Sequence, residues 1–132
     1  MSADNSSSLV EVVDLGEGIA KITLNDPSHQ NTLSEKMIEE LQSTFDDLSA
    51  GSSRVIILSS TGKVFSAGHD LKELKAVRSH PDQGKEYFRF ILKKCSTLMQ
   101  TIVNHPKPVI AQVEGVATAA GCQLALSCDL VY

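Results

Sequence analysis

Two stretches of this chain follow one pattern, and their pairing constrains the fold more than any other feature. In residues 109–129, Val109, Ile110, Ala111 and Val113 form a short apolar run after Pro106 and Pro108, which predicts a buried strand. Gly115 breaks it. From Ala119 the residues become small, and Leu124 and Leu126 continue an apolar helix that Asp129 is expected to terminate. A strand feeding a helix through Gly, Ala and Thr leaves the first helical N–H groups without a large side chain over them. Those groups lack intrahelical partners and lie at the positive end of the helix dipole. An electron-rich atom can rest there, and a second donor would complete an oxyanion site. Residues 65–74, Phe-Ser-Ala-Gly-His-Asp-Leu-Lys-Glu-Leu, also run strand, glycine corner, short helix. Helix–sheet packing through small residues explains either corner taken singly. Two corners in one small domain can aim two backbone donors at one point.

The rest of the chain surrounds these corners. β-branched runs at 9–13 and 19–24 flank Gly16-Glu17-Gly18 and predict a hairpin. A polar loop from Asn25 to Asn31 closes the second strand. Thr32 followed by Glu35 fits a capping box. Met37, Ile38, Leu41, Phe45 and Leu48 then share one helical face, which Gly51 ends. The continuous apolar run 55–58 predicts a strand covered on both faces. After a break at 80–84, with Asp82 as a cap, Phe88, Ile91, Leu92, Cys95, Leu98, Met99, Ile102 and Val103 recur at helical spacing over 86–104. Lys93 and Lys94 fall on the solvated side. Pro106 and Pro108 stop that helix. The order hairpin, helix, strand, helix, strand, helix predicts α/β layering with right-handed crossovers. Residues 130–132 begin another strand whose partners must come from further sequence, so the chain is expected to be truncated.

At 132 residues the chain suits one domain, assigned to 9–132, with the serine-rich residues 1–8 as a disordered tail. A net charge of −4 argues against a broad nucleic-acid surface. No apolar run approaches the length needed to span a bilayer, so no membrane partner is expected. Three cysteines, Cys95, Cys122 and Cys128, show no metal-type spacing. They favour a reducing compartment, with the cytosol as the expected location and no metal site.

The two corners together resemble the enoyl-CoA hydratase/isomerase (crotonase) superfamily. The resemblance rests on Phe65-x-x-Gly68-x-Asp70-Leu71 and on Gly115-x-Ala117-x-x-x-Gly121-Cys122-x-Leu124-Ala125-x-x-Cys128-Asp129. An approximate third match runs Asn25-x-Pro27-x-x-x-Asn31-x-Leu33. It covers residues 9–132 and implies the N-terminal half of an α/β, crotonase-like ββα spiral, without the second half and the C-terminal trimerisation helices. It also implies a role in fatty-acid or acyl-CoA metabolism, a homo-oligomer (trimer or hexamer) when full length, and the mitochondrial matrix as the alternative location.

By motif position, the resemblance gives two backbone N–H donors, His69 and Ala120, to a CoA thioester carbonyl. Coenzyme A enters as part of the acyl- or enoyl-CoA substrate, not as a resident cofactor. Ala67, whose carbonyl meets the adenine amino group, with Gly68, Lys72 and Gly121, would bind the CoA portion. The His69 imidazole reads as a wall of the pocket rather than a general base. Hydratases of this family use two glutamates around a catalytic water. The first falls at Gln123, which can orient water or substrate but cannot exchange a proton near neutral pH. The second falls beyond Tyr132. Asp70 and Asp129 read as caps or turn-fixing groups, His29, His80 and His105 as loop residues, and Cys122 as a small buried residue. Two functions follow: an acyl-CoA enzyme of hydratase, isomerase or thioester type, or a catalytically silent acyl-CoA-binding or scaffold relative. The isolated chain is expected to be inactive and to aggregate or melt with low cooperativity.

Overall fold

Alternating apolar residues and one helical stripe on each long helix decide the arrangement. The computed structural model describes residues 7–132. The hairpin strands β1 (Val10–Asp14) and β2 (Ile19–Leu24) pair antiparallel, Val10 opposite Leu24. Strand β3 (Val55–Ser60) then runs parallel to β2, with Ile22 opposite Leu58. Strands β5 (Val109–Ala111) and β7 (Leu130–Val131) extend the sheet in parallel, giving the order β1-β2-β3-β5-β7. A separate two-stranded sheet joins β4 (Val64–Ser66) to β6 (Val116–Ala117).

One face of the larger sheet carries the core. Ala20, Ile22, Leu24, Ile56, Leu58, Val109 and Ala111 are buried there. All but Ala20 belong to one apolar cluster with Met37, Ile38, Leu41 and Phe45 of helix α1 (Glu35–Ala50) and Ile91, Cys95, Leu98, Met99 and Ile102 of helix α3 (Lys85–Val103). Burying a side chain such as Leu41 or Phe45 contributes roughly 1.5–3 kcal/mol each, so these two stripes fix the layering. Helix α2 (Leu71–Ala76) and helix α4 (Ala120–Leu126) are short and follow the two glycine corners.

Several expectations are corrected. Ser34, not Thr32, caps α1, its hydroxyl accepting the Met37 N–H at 3.1 Å. Residue 33 is already committed to a β-bridge with His69, so the helix cannot open at Thr32. Strand β3 is fully buried on one face, at Ile56 and Leu58, and only partly covered on the other, where Val55 and Ile57 are intermediate and Ser59 is buried. Leu92 and Val103 lie on the exposed side of α3, at 56% and 55%. Lys94 pairs with Glu39 and lies over the Phe90 ring instead of being free in solvent. Asp129 does not end α4; its carboxylate and its N–H both bond the Val109 main chain, which joins β7 to β5. Of the expected tail, Ser8 bonds the Glu40 carboxylate at 2.7 Å and Ser7 accepts from Lys36, while residues 1–6 lie outside the described residues. The N-cap position of α3 is Gly84, without a side-chain cap bond, and Asp82 two residues earlier accepts the Gly84 and Glu86 N–H groups instead.

Candidate active site

The polar loop before α1 sets the first corner. Asn31 is fully buried at φ 51°, and its side chain satisfies three backbone groups. Its amide donates to the carbonyls of Thr61 and Val64, and its oxygen accepts the Asp26 N–H. A buried amide so bonded locks the loop onto the start of β4. The loop then holds the corner directly: Ala67 N–H donates to Gln30 at 3.1 Å, and Leu33 N–H to Gly68 at 2.7 Å. Gly68 turns at φ 93°, a left-handed value that a side chain rarely adopts.

The second corner docks on the first. The chain does not pass straight from β5 into α4, as the sequence pattern implied; β6 intervenes and pairs with β4. Thr118 N–H donates to the Ser66 carbonyl at 3.1 Å. Ala119 then adopts φ 51°, ψ −129°, a conformation that costs a non-glycine residue roughly 1–3 kcal/mol. Contact between the corners is immediate. A Cβ placed on Gly68 would lie 3.0 Å from both the Ala119 methyl and the Ala120 nitrogen. Gly121 is pressed against Ser66 in the same way. Among the described residues, neither the His69 N–H nor the Ala120 N–H donates a hydrogen bond to the protein. With α4 only seven residues long, these unpaired amides matter more than a helix macrodipole.

A cavity of about 320 Å³ opens beside the first corner, lined by Gln30, Thr32, Ala67, His69, Asp70 and Lys72 among others. The larger hollow, about 630 Å³, lies between α1 and α3 and shares no residue with either corner. His69 Nδ1 is sealed from solvent and has no hydrogen-bond partner among the described residues. Burial holds its pKa below the usual imidazole value. Asp70 is occupied structurally, accepting the Lys72 N–H at 2.9 Å as the cap of α2. The Lys72 side chain is exposed.

Gln123 is exposed on α4, and its side chain makes no hydrogen bond among the described residues. Gly121 is buried under α4 and Cys122 is half-buried, not enclosed as its small size suggested. Burial pushes the Cys128 thiol up to about 12, with the Asp129 charge adding to it, and raises Cys95 too, so neither is a nucleophile at neutral pH. His105 packs edge-on to Phe45 and bonds its carbonyl, a purely structural loop role.

Two features of the site are not legible in the sequence. Asn31 was matched by pattern, but its bonding depends on Thr61 and Val64, some thirty residues away. Glu73 stands in the 65–74 run without any sequence signal for its bonding. Its carboxylate accepts the Glu35 N–H of α1 and the Tyr87 hydroxyl of α3. Burial, ahead of the neighbouring Asp70 and Glu35 charges, holds its pKa above the usual value.

Comparison with known proteins gives a consistent result. The profile of the enoyl-CoA hydratase/isomerase family matches residues 14–132. Enoyl-CoA hydratase domain-containing protein 3, mitochondrial, of Homo sapiens is 47% identical over 115 residues, 86% of this chain and 36% of the relative. The crystal structure of the human domain-containing protein 3 superposes with a TM-score of 0.84 at 45% identity, over 93% of this chain and 47% of that one. An enoyl-CoA hydratase from Mycobacterium smegmatis gives 0.86 at 41% identity, over 95% and 47%. The chain therefore spans less than half the length of these relatives.

Proposed function

Because the chain belongs to the enoyl-CoA hydratase/isomerase family, we propose that it binds an acyl- or enoyl-CoA thioester and stabilises charge on the thioester oxygen. The donors in this reading are the main-chain N–H groups of His69 and Ala120. One observation carries it: two amides without partners among the described residues stand on two corners in van der Waals contact. Enolate or tetrahedral chemistry places negative charge on that oxygen, and losing one such preorganised donor costs about 3–4 kcal/mol of transition-state stabilisation. Because the donors are main chain, an imidazole at position 69 leaves them intact.

The neighbouring cavity suits the rest of the ligand. Its wall includes Ala67, whose carbonyl accepts nothing among the described residues, and Lys72, whose ammonium can approach a phosphate. Gly68 and Gly121 allow the close approach. Coenzyme A thus enters with the substrate. The hydratase, isomerase or thioester outcome depends on acid/base groups, and Gln123 supplies none. Titration calorimetry with acetoacetyl-CoA tests the reading; an absence of heat at millimolar ligand would overturn it.

Gln123 supports a second reading, a catalytically silent acyl-CoA binder. Hydration of crotonyl-CoA above the buffer rate, abolished by Gln123→Ala, would reject that one. The human relative is named a mitochondrial protein, and among the described residues no helix is long and apolar enough to cross a membrane. Matrix and cytosol are both compatible with acyl-CoA chemistry, and a fluorescent fusion distinguishes them. Self-association is part of the proposal, with Leu126, Leu130 and Tyr132 exposed at 70%, 63% and 71% as apolar surface for it. Sedimentation at several concentrations tests it.

A further inference from the structure

Helix α2 starts one residue after the His69–Asp70 turn, yet it buries no side chain completely. Leu71 is 74% exposed, and Leu74 alone packs partly against the core. The front of the corner is tied by the Leu33–Gly68 bond. Behind it, the one polar tie among the described residues from an α2 side chain to other helices is the Glu73 carboxylate. Its Oε2 accepts the Glu35 N–H at 3.0 Å and the Tyr87 hydroxyl at 3.4 Å. Glu35 opens α1, whose unpaired N–H groups and positive end favour a carboxylate. Tyr87 lies in the first turn of α3. One carboxylate thus joins three helices at the N-terminal ends of two of them. The titratable groups facing it are Glu35 on α1, Asp70 at the start of α2 and Tyr87 on α3. Among the described residues it forms no ion pair, so its geometry is set by the two hydrogen bonds.

We propose that Glu73 is a positioning residue: by clasping α2 to the starts of α1 and α3, it fixes the direction of the His69 N–H. This rests on the thioester reading above for its functional consequence, and on the hydrogen bonds alone for its structural one. A neutral amide at 73 keeps an oxygen for the Glu35 N–H, whereas alanine removes both bonds.

The test uses the 132-residue chain with Glu73→Ala, Glu73→Gln and Tyr87→Phe. Hydrogen–deuterium exchange reads the clasp without ligand. In Glu73→Ala, amides of the α2 peptide are expected to exchange at least tenfold faster while those of α3 do not change; Glu73→Gln stays near the wild type. Acetoacetyl-CoA reads the consequence. At saturating ligand the enolate absorption is expected to fall several-fold in Glu73→Ala and to return in Glu73→Gln, with the Kd of free CoA changed less than twofold. A merely structural residue would lower the melting temperature without that split. Unchanged α2 exchange in Glu73→Ala, or faster exchange with a full enolate band, overturns the proposal. Should Glu73→Ala fail to fold, Tyr87→Phe removes one of the two bonds and is held to the same criteria at smaller amplitude. If the wild type gives no enolate signal, the thioester reading falls, and the exchange data alone decide the clasp.

Discussion

The Ser66 carbonyl oxygen occupies the space that a side chain on Gly121 would need: a Cβ there would lie 2.2 Å from it. The contact is backbone against backbone, so no rotamer change relieves it. It brings the corner bearing Ala120 onto the strand that leads to His69. The proposed pair of donors depends on it.

Gly121→Ala therefore forces β4 and α4 apart. Overpacking against main chain costs about 3 kcal/mol. Urea denaturation is expected to show that loss, together with weaker acetoacetyl-CoA binding. A midpoint within error of the wild type would mean that the corners are not held by this contact.

Ala119 stores strain in the opposite sense. Its backbone at φ 51°, ψ −129° suits glycine better than alanine. Relief of roughly 1–3 kcal/mol, less the greater unfolded-state freedom of glycine, leaves Ala119→Gly more stable by about 1 kcal/mol. Ala119→Val, with a branched Cβ, is expected to melt below the wild type. The order Gly, Ala, Val in thermal unfolding checks the assignment, and any other order contradicts it.

His69 makes stability depend on pH. Burial places its folded pKa below the value of 6.5 taken for the unfolded chain. Between those values the unfolded chain binds more protons, so stability is present above 6.5 and is lost as pH falls toward the lowered value. Glu73 acts with the opposite sign. Its raised carboxyl favours the folded state below 4.5, and that contribution is lost as pH rises through the raised value. His69→Asn removes the first effect and keeps the second. Its melting temperature is expected to drop less than that of the wild type between about pH 7 and about pH 5. Parallel curves would show that the imidazole is not desolvated.

Local pattern was enough to read α1, α3, the hairpin and both glycine corners, because an amphipathic stripe or a glycine break is written in consecutive residues. Met37, Ile38, Leu41 and Phe45 all fell on the buried face expected of them. The same stripe could not say that Leu92 and Val103 lie outside it, since the width of the buried face depends on how α3 meets α1 and the sheet. The cap was misread at Thr32 because the competing bridge, Leu33 to His69, joins segments far apart in the chain.

The sequence by itself determined the kinds of element, the corner residues and the family they resemble. The tertiary structure decided which elements meet: β6 on β4, Gly121 on Ser66, Asn31 under the start of β4, and Glu73 between three helices. The physical reason lies in range. Periodicity and turn chemistry express the preferences of a few neighbouring residues, whereas a buried hydrogen bond or a backbone contact exists only after distant segments have been brought within about 3 Å of each other.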